Sequence, residues 1–132
     1  MNEIMAAVRH IPGSRALPAE EAKELVTTIA GKYGLDPEGF LSWEKMEGIA
    51  YPYNDPSEWG LLLSSMLGFF TGDVYLVVTN ETYFPWPVIV LPAEDIQPLL
   101  LELPHFEFFI FDDTMERVVV DTHYNELIVL EK

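Results

Sequence analysis

Three short apolar runs lie close together in the C-terminal part of the chain, and their spacing restricts the possible folds more than any other feature. The runs cover residues 106–111, 117–121 and 127–130. The links between them contain residues 112–114 and 123–125, and links this short favour antiparallel hairpins. The end of the chain is therefore predicted to form three neighbouring antiparallel strands.

Two further runs, residues 74–78 and 88–91, are rich in β-branched and aromatic side chains and are also predicted to be strands. Pro92 ends the second of these runs, and a short helix is predicted over residues 93–101. The order from residue 74 onward is therefore β-β-α-β-β-β. It predicts a mostly antiparallel sheet of about five strands.

The first half of the chain shows helical periodicity instead. The predicted helices begin after Pro18, at about residue 36 and at residue 58, with Asp55 or Ser57 as the N-cap of the third. Residues 47–57 contain prolines and turn-forming side chains, and are predicted to form a loop. We expect a single α+β domain over residues 1–132, with the N-terminal helices packed on one face of the sheet.

The third helix, predicted over residues 58–69, has apolar side chains around much of its circumference. They include Leu61, Leu62 and Met66. A helix whose apolar stripe is this wide is expected to be well buried, so these three side chains are predicted to lie in the core.

Charge is distributed unevenly along the chain. Between Lys45 and Arg117 there is no lysine or arginine, and this window contains twelve acids, so it holds −12 of the net charge of −15. A negative field of this kind attracts basic macromolecules and repels nucleic-acid phosphates and anionic membranes. The charge therefore predicts a basic protein partner, and it predicts neither nucleic-acid binding nor membrane docking. A metal ion and solubility alone are the alternative explanations of the charge.

Composition excludes several chemistries. The chain has no cysteine, which rules out disulfides and thiol nucleophiles and suits a cytoplasmic protein. We expect no signal peptide, because residues 1–11 lack a basic start followed by an apolar core. The sequence contains no apolar run long enough to span a bilayer and no glycine-rich phosphate loop. In the leading interpretation we expect no cofactor and no metal site.

Two groups of aromatic residues are candidate binding residues. Tyr83, Phe84 and Trp86 are framed by Pro85 and Pro87, and rings held by prolines lose little entropy on binding. The alternative is that Phe84 and Trp86 fill the edge of the core.

The second group precedes the third predicted helix, and comprises Tyr51, Tyr53 and Trp59. Such side chains often line a cleft, because they combine an apolar body with a polar tip. They also often only cover the end of a helix, and that alternative stays open.

Acidic residues form two further candidates. Glu81, Asp112, Asp113 and Glu116 are predicted to supply the negative field of a binding surface. A site for a hard cation such as calcium or magnesium at Asp112, Asp113 and Glu116 is an alternative, and aspartate is also a favoured turn residue. Asp121, His123 and Glu126 lie within six residues at the last hairpin, so a His-based or metal-dependent hydrolase is an alternative function. A simple Asp121–His123 hydrogen bond that holds the turn explains the same pattern.

The length, the helix-then-sheet order and two C-terminal runs together resemble the small acidic immunity proteins that bacteria place beside polymorphic or contact-dependent toxins. The runs extend from Phe106 to Asp112 and from Arg117 to Asp121. Trp59-Gly60 ahead of a sheet is also similar to a feature of the SUKH superfamily, which includes many immunity proteins. The resemblance implies a non-enzymatic protein that binds a toxin such as a nuclease, and no site residue is transferred from it.

The leading functional hypothesis is therefore an acidic protein-binding module that masks a basic partner. The first alternative is a small hydrolase at the C-terminal hairpin. The second is a structural subunit of a homo-oligomer, which exposed Phe109, Leu127 or Val129 at a sheet edge would favour.

Overall fold

Helices cover both faces of one antiparallel sheet in the computed structural model of this protein, which describes residues 6–33, 48–70, 72–79, 86–103, 107–121 and 126–131. The strands in these ranges are β1 (Arg15–Ala16), β2 (Ile49–Pro52), β3 (Asp73–Val78), β4 (Val88–Pro92), β5 (Phe108–Phe111), β6 (Arg117–Asp121) and β7 (Glu126–Glu131). The helices are α1 (Ala19–Lys32), α2 (Pro56–Leu67) and α3 (Ile96–Leu101), and a 3-10 turn at Ala93–Asp95 leads directly into α3.

The described strands form one seven-stranded sheet in the order β1–β4–β3–β5–β6–β7–β2, and every neighbouring pair is antiparallel. The predicted α+β class and antiparallel sheet are confirmed, and β5, β6 and β7 are neighbours as their short links predict. The sheet nevertheless has seven strands where the sequence predicts about five. The additional strands, β1 and β2, form its two edges.

Strand β2 lies within the stretch that is predicted to be a loop. It pairs with β7 from Ile49, opposite Val129, to Pro52, opposite Glu126. Proline is tolerated here because an edge strand pairs on one side only. The chain enters β2 through Gly48, where an added Cβ would lie 2.6 Å from the Leu130 side chain and 2.8 Å from the Val129 carbonyl oxygen.

Both faces of the sheet are buried, so the prediction that the N-terminal helices share one face is wrong. Side chains alternate between faces along a strand, and in β5 both sets are apolar. Phe108 and Ile110 join the core under α2 and α3, whereas Phe109 and Phe111 join the core under α1. Uninterrupted apolar strands of this kind require a covering layer on each side.

Helix α1 is a simple amphipathic cover for its face. Its buried side chains are Ala22, Val26, Ile29 and Ala30. Two acids, Glu20 and Glu21, occupy the first turn, where they suit the helix dipole. The helix has no side-chain cap at Pro18, so packing on the sheet accounts for most of its stability.

Helix α2 begins with a side-chain cap, as the sequence predicts for Asp55. Its carboxylate accepts a hydrogen bond from the Glu58 backbone N–H at 2.9 Å, and the Glu58 carboxylate accepts one from the Asn54 N–H at 2.7 Å. Of the three side chains predicted to be buried, Met66 lies in the core and Leu62 is half-buried. The prediction is wrong for Leu61, which is 74% exposed.

The predicted helix at about residue 36 lies outside the described residues. Within the described ranges, no helix combines the length and the apolar character that a membrane crossing needs.

Candidate binding surface

Helices α2 and α3 are in contact on one face of the sheet, and an open groove lies between them. The Gln97 side-chain amide donates a hydrogen bond to the Gly60 carbonyl oxygen at 3.0 Å. A Cβ added at Gly60 would lie 3.4 Å from that amide nitrogen, so the missing side chain permits the close approach. We call α2, the 3-10 turn and α3 the α2/α3 layer.

The groove has a volume of about 510 Å³. Leu67 and Phe70 line it from the α2 side and Leu101 from the α3 side, while Ser64, Glu94 and Gln97 are among its polar lining residues. Clefts that hold ligands are typically roughly 300–1,000 Å³ in volume, mostly apolar, with a few polar groups at fixed positions. The groove between α2 and α3 has this composition and size.

Each helix of the α2/α3 layer contains three consecutive leucines, and one in each helix is exposed. In α2, Leu63 is buried and Leu61 is 74% exposed. In α3, Leu99 and Leu100 are buried, whereas Leu101 is 64% exposed. Successive helical residues point about 100° apart, so three neighbours cannot all face the sheet. Leu61 lies one turn before Ser64 and outside the groove lining, so it is a second exposed apolar position on the layer.

The α2/α3 layer is also uniformly acidic. Neither helix nor the 3-10 turn contains a lysine or arginine. The acids of the layer and its caps are Asp55, Glu58, Glu94, Asp95 and Glu102. Helix α1, on the opposite face, carries Lys23 and Lys32 beside three glutamates and is close to balanced.

Two arginines from other elements lie on the same side of the sheet as the α2/α3 layer. Arg117 places its guanidinium 4.8 Å from the centre of the Phe69 ring and 3.3 Å from the Glu131 carboxylate. Arg9 is exposed and follows Val8, which joins the same core. Because Arg117 is already paired, it does little to neutralise the acids of the layer.

Asp121 is the only buried charged residue among those that the structure describes. It lies at the end of β6, below the start of α2. One carboxylate oxygen accepts a hydrogen bond from the Tyr53 hydroxyl at 2.9 Å, and the other accepts one from the Trp59 indole N–H at 3.0 Å. A buried carboxylate requires such donors, and here they attach α2 and the preceding loop to the sheet.

The pKa of Tyr53 is raised above its ordinary value, first because the hydroxyl is partly buried and second because the Asp121 carboxylate is close. Tyr53 therefore keeps its proton and remains a donor to Asp121. Two of the residues proposed for binding, Tyr53 and Trp59, thus hold the fold together in this structure.

The hydrolase alternative receives no support from the described part of its site. Asp121 is fully buried with both oxygens accepting hydrogen bonds, and Glu126 is half-buried. His123 lies outside the described residues. Within the described ranges, no group of three or more histidine, cysteine or acidic side chains is placed to hold a metal ion.

The acids at the β5–β6 turn stabilise that turn. Asp112 accepts hydrogen bonds from the Thr114 N–H at 3.0 Å and the Thr114 hydroxyl at 2.6 Å, and Asp113 accepts one from the Tyr75 hydroxyl at 2.6 Å. Glu116 is exposed.

The end of α1 holds the same turn. The Tyr33 hydroxyl donates to the Met115 carbonyl oxygen at 2.9 Å, and Met115 adopts a positive φ of 56°. Such a conformation costs a non-glycine residue roughly 1–2 kcal/mol, so these hydrogen bonds offset local strain.

The candidate aromatic residues that the structure describes do not form one surface. Trp86 is 6% exposed and packs edge-to-face on Phe109 in the core under α1, so its ring fills the core as the alternative interpretation predicts. Trp59 is buried on the opposite face. Tyr51 is 37% exposed on edge strand β2. The other candidates, Glu81, Tyr83 and Phe84, lie outside the described residues.

The three side chains predicted for a homo-oligomer interface are not exposed at an edge of the sheet. Phe109, Leu127 and Val129 are all buried by the helices rather than exposed at a sheet edge. The large apolar side chains that are exposed in the described residues are Leu61 and Leu101 of the α2/α3 layer, Phe69, and Ile49 and Tyr51 of the edge strand β2.

The patterns in the sequence do not identify the groove. They predict only that Glu94, Gln97 and Leu101 are helical, and they predict that Leu61, which lies outside the groove lining, is buried. A signal was available, because three consecutive leucines in an amphipathic helix leave at least one outside the buried stripe. Contact between the two helices brings these residues together, and no pattern along the chain indicates it.

No protein-family model matches the chain, and comparison with curated proteins gives no match. The functional interpretation therefore depends on the geometry and charge of the molecule itself.

Proposed function

We propose that this protein is a non-enzymatic acidic binding module that covers a basic site on a partner protein, in the way that an immunity protein covers a toxin nuclease. The observation that carries the proposal is the α2/α3 layer, which combines five acids, no base and exposed leucines. We further propose that it acts in the cytoplasm, which suits a chain without cysteine.

The charge of the layer supports a basic partner. Opposite charges steer two proteins into contact, and the advantage falls as salt screens it over a Debye length of about 8 Å at physiological ionic strength. The acids of the α2/α3 layer have no lysine or arginine within the layer to neutralise them. A partner with clustered lysine or arginine would supply the missing charge.

The exposed leucines support a protein partner rather than a simple cation. Binding energy at protein interfaces comes mainly from a few large side chains that become fully buried, while surrounding charges determine rate and specificity. Leu61 and Leu101 are more than half exposed and lie beside acids. This arrangement provides apolar anchors within a negative surface.

Affinity capture tests the proposal. The tagged protein would be incubated with lysate of its source cell at about 50 mM and about 300 mM salt, because screening differs strongly between these conditions. A control resin would carry the Glu94→Gln, Asp95→Asn, Glu102→Gln triple variant, which removes three charges from the layer. We expect one basic protein to be recovered at low salt by the wild type, and less of it at high salt or on the control resin.

Binding kinetics of the recovered protein complete the test. We expect its association rate to fall with increasing salt while its dissociation rate changes less. Recovery of an acidic or neutral protein whose association is independent of salt would contradict the proposal. Turnover of a substrate by the purified protein would contradict its non-enzymatic part.

A further inference from the structure

We infer that the groove between α2 and α3 is the docking site for a basic segment of the partner, with apolar side chains entering the groove and lysine or arginine contacting the surrounding acids. This inference rests on the proposed function and identifies the surface through which it operates. It also defines the partner chemistry, which is a segment that combines apolar anchors with flanking positive charge.

The size of the groove determines how much of a segment it can accept. A volume of about 510 Å³ accommodates a small number of large apolar side chains and is too small for a folded domain. Leu67, Phe70 and Leu101 provide apolar lining, so entering side chains exchange water for apolar contact. Segments presenting anchors at helical spacing bind grooves between helices in this way.

The polar groups of the groove determine which charge is accepted. Glu94 belongs to the lining itself, Asp95 follows Glu94 in the chain, and Glu102 follows the lining residue Leu101. Gln97 is already engaged by its bond to the Gly60 carbonyl. An acidic or neutral segment would gain apolar contact only, whereas a basic segment would also pair with these carboxylates.

Charge also argues against a second copy of this chain as the occupant. The net charge is −15 and the layer carries no base, so two copies docked through this face would bring like charges together. The basic segment is therefore the occupant that complements both properties of the groove.

Two synthetic peptides and two protein variants test the inference. The first peptide is an amphipathic helix of about 18 residues with leucines at i, i+4 and i+7 and lysines elsewhere. The second has the same lysines with alanine in place of leucine. Ser64→Trp would fill the groove, whereas Ser65→Trp adds the same ring at the neighbouring exposed position outside it.

We expect the wild type to bind the Leu/Lys peptide at least about tenfold more tightly than the Ala/Lys peptide, because only the former has anchors to bury. Ser64→Trp should abolish this preference and Ser65→Trp should retain it. Equal thermal unfolding of the two variants would exclude misfolding. Binding would be measured by anisotropy of labelled peptide at low salt.

Each contrary outcome affects a different statement. If both variants retain the preference, or the wild type shows none, the groove is not the docking site, while salt-sensitive binding of both peptides leaves the proposed function in place. If neither peptide binds the wild type at low salt, the proposed function fails as well. A dimer in analytical ultracentrifugation that Ser64→Trp dissociates would show that the occupant is a second copy, and would overturn the inference.

Discussion

The two helical layers of this protein each bury one face of the sheet, but they differ in the side chains that they leave exposed to solvent. Helix α1 covers its face with four buried side chains, and presents three glutamates and two lysines to solvent. The α2/α3 layer covers the other face, but it leaves Leu61 and Leu101 exposed, contains an open groove and has no base.

Comparing the two layers distinguishes side chains that stabilise the fold from side chains that the fold does not require. Burying the sheet accounts for Val26 in α1 and for Leu63 in α2, which are both fully buried. It does not account for Leu61, whose exposure brings no packing. Exposed apolar surface rimmed by acids is typical of a contact surface for another protein.

The largest expected effect distinguishes the two leucines of α2. Leu63→Ala should lower the free energy of unfolding by about 2–5 kcal/mol, because it leaves a cavity at a fully buried position. Leu61→Ala should change it by less than about 0.5 kcal/mol, because the side chain is mostly in water. Urea unfolding of both variants measures this, and comparable losses would show that Leu61 is part of the core.

The second-largest expected effect comes from removing the hydrogen bond between Tyr53 and Asp121. Tyr53→Phe should cost about 1.5–3 kcal/mol, the range for a hydrogen bond to a charged group. The raised pKa of Tyr53 adds a pH dependence, since the folded protein holds the phenolic proton to higher pH than the unfolded chain does. This stability is fully present below about pH 10 and is lost as pH rises toward the raised pKa.

Urea midpoints at neutral pH and above about pH 10 would measure both parts of this prediction. The wild type should lose stability in alkali more steeply than Tyr53→Phe. Some alkaline loss should remain in the variant, because the pKa values of Tyr33 and Tyr75 are also raised, the first mainly by burial and the second mainly by its bond to Asp113. Parallel curves would show that the Tyr53–Asp121 contact is not maintained in solution.

A smaller effect concerns the N-terminal caps of α2 and α1. Asp55→Ala removes the N-cap of α2 and should cost about 1 kcal/mol. Helix α1 has no equivalent side-chain cap, and Pro18→Ala should cost about 0.4–1 kcal/mol only because the unfolded chain gains freedom. Thermal unfolding measures both variants, and an unchanged stability of Asp55→Ala would mean that the Asp55 bond contributes no net stability.

The strands differ in how well the sequence predicts them. Strands β5, β6 and β7 are predictable because each is a dense apolar run bounded by short links. Strand β2 is not, because Pro52 and its neighbours have turn chemistry, and only pairing with distant β7 makes Ile49–Pro52 a strand. Local propensity carries no information about a partner strand far along the chain.

The sequence also contains the information that helices cover both faces of the sheet. The uninterrupted apolar runs of β4 and β5 differ from the alternation of a sheet with one wet face, and they indicate two covered faces. The groove cannot be predicted from the sequence, because it depends on contact between Gly60 and Gln97 on separate helices. Charge along the chain identifies acidic segments without showing which face they occupy.

The central claim is that the α2/α3 layer, and not the α1 layer, binds a basic partner. Two triple variants with the same loss of charge test it directly: Glu94→Gln, Asp95→Asn, Glu102→Gln in one layer, and Glu20→Gln, Glu21→Gln, Glu24→Gln in the other. Glu20, Glu21, Glu94 and Asp95 lie near the start of a helix, whereas Glu102 follows the end of α3, so the α2/α3 set should cost slightly less stability than the α1 set.

The association rate of the Leu/Lys peptide with each variant, measured by stopped flow at low salt, decides between the layers. We predict that the α2/α3 variant associates about three- to tenfold more slowly than the wild type, and that the α1 variant stays within about twofold. Equal slowing by both variants would mean that only total charge matters, and slowing by the α1 variant alone would place the binding surface on the opposite face. Either result would contradict the claim.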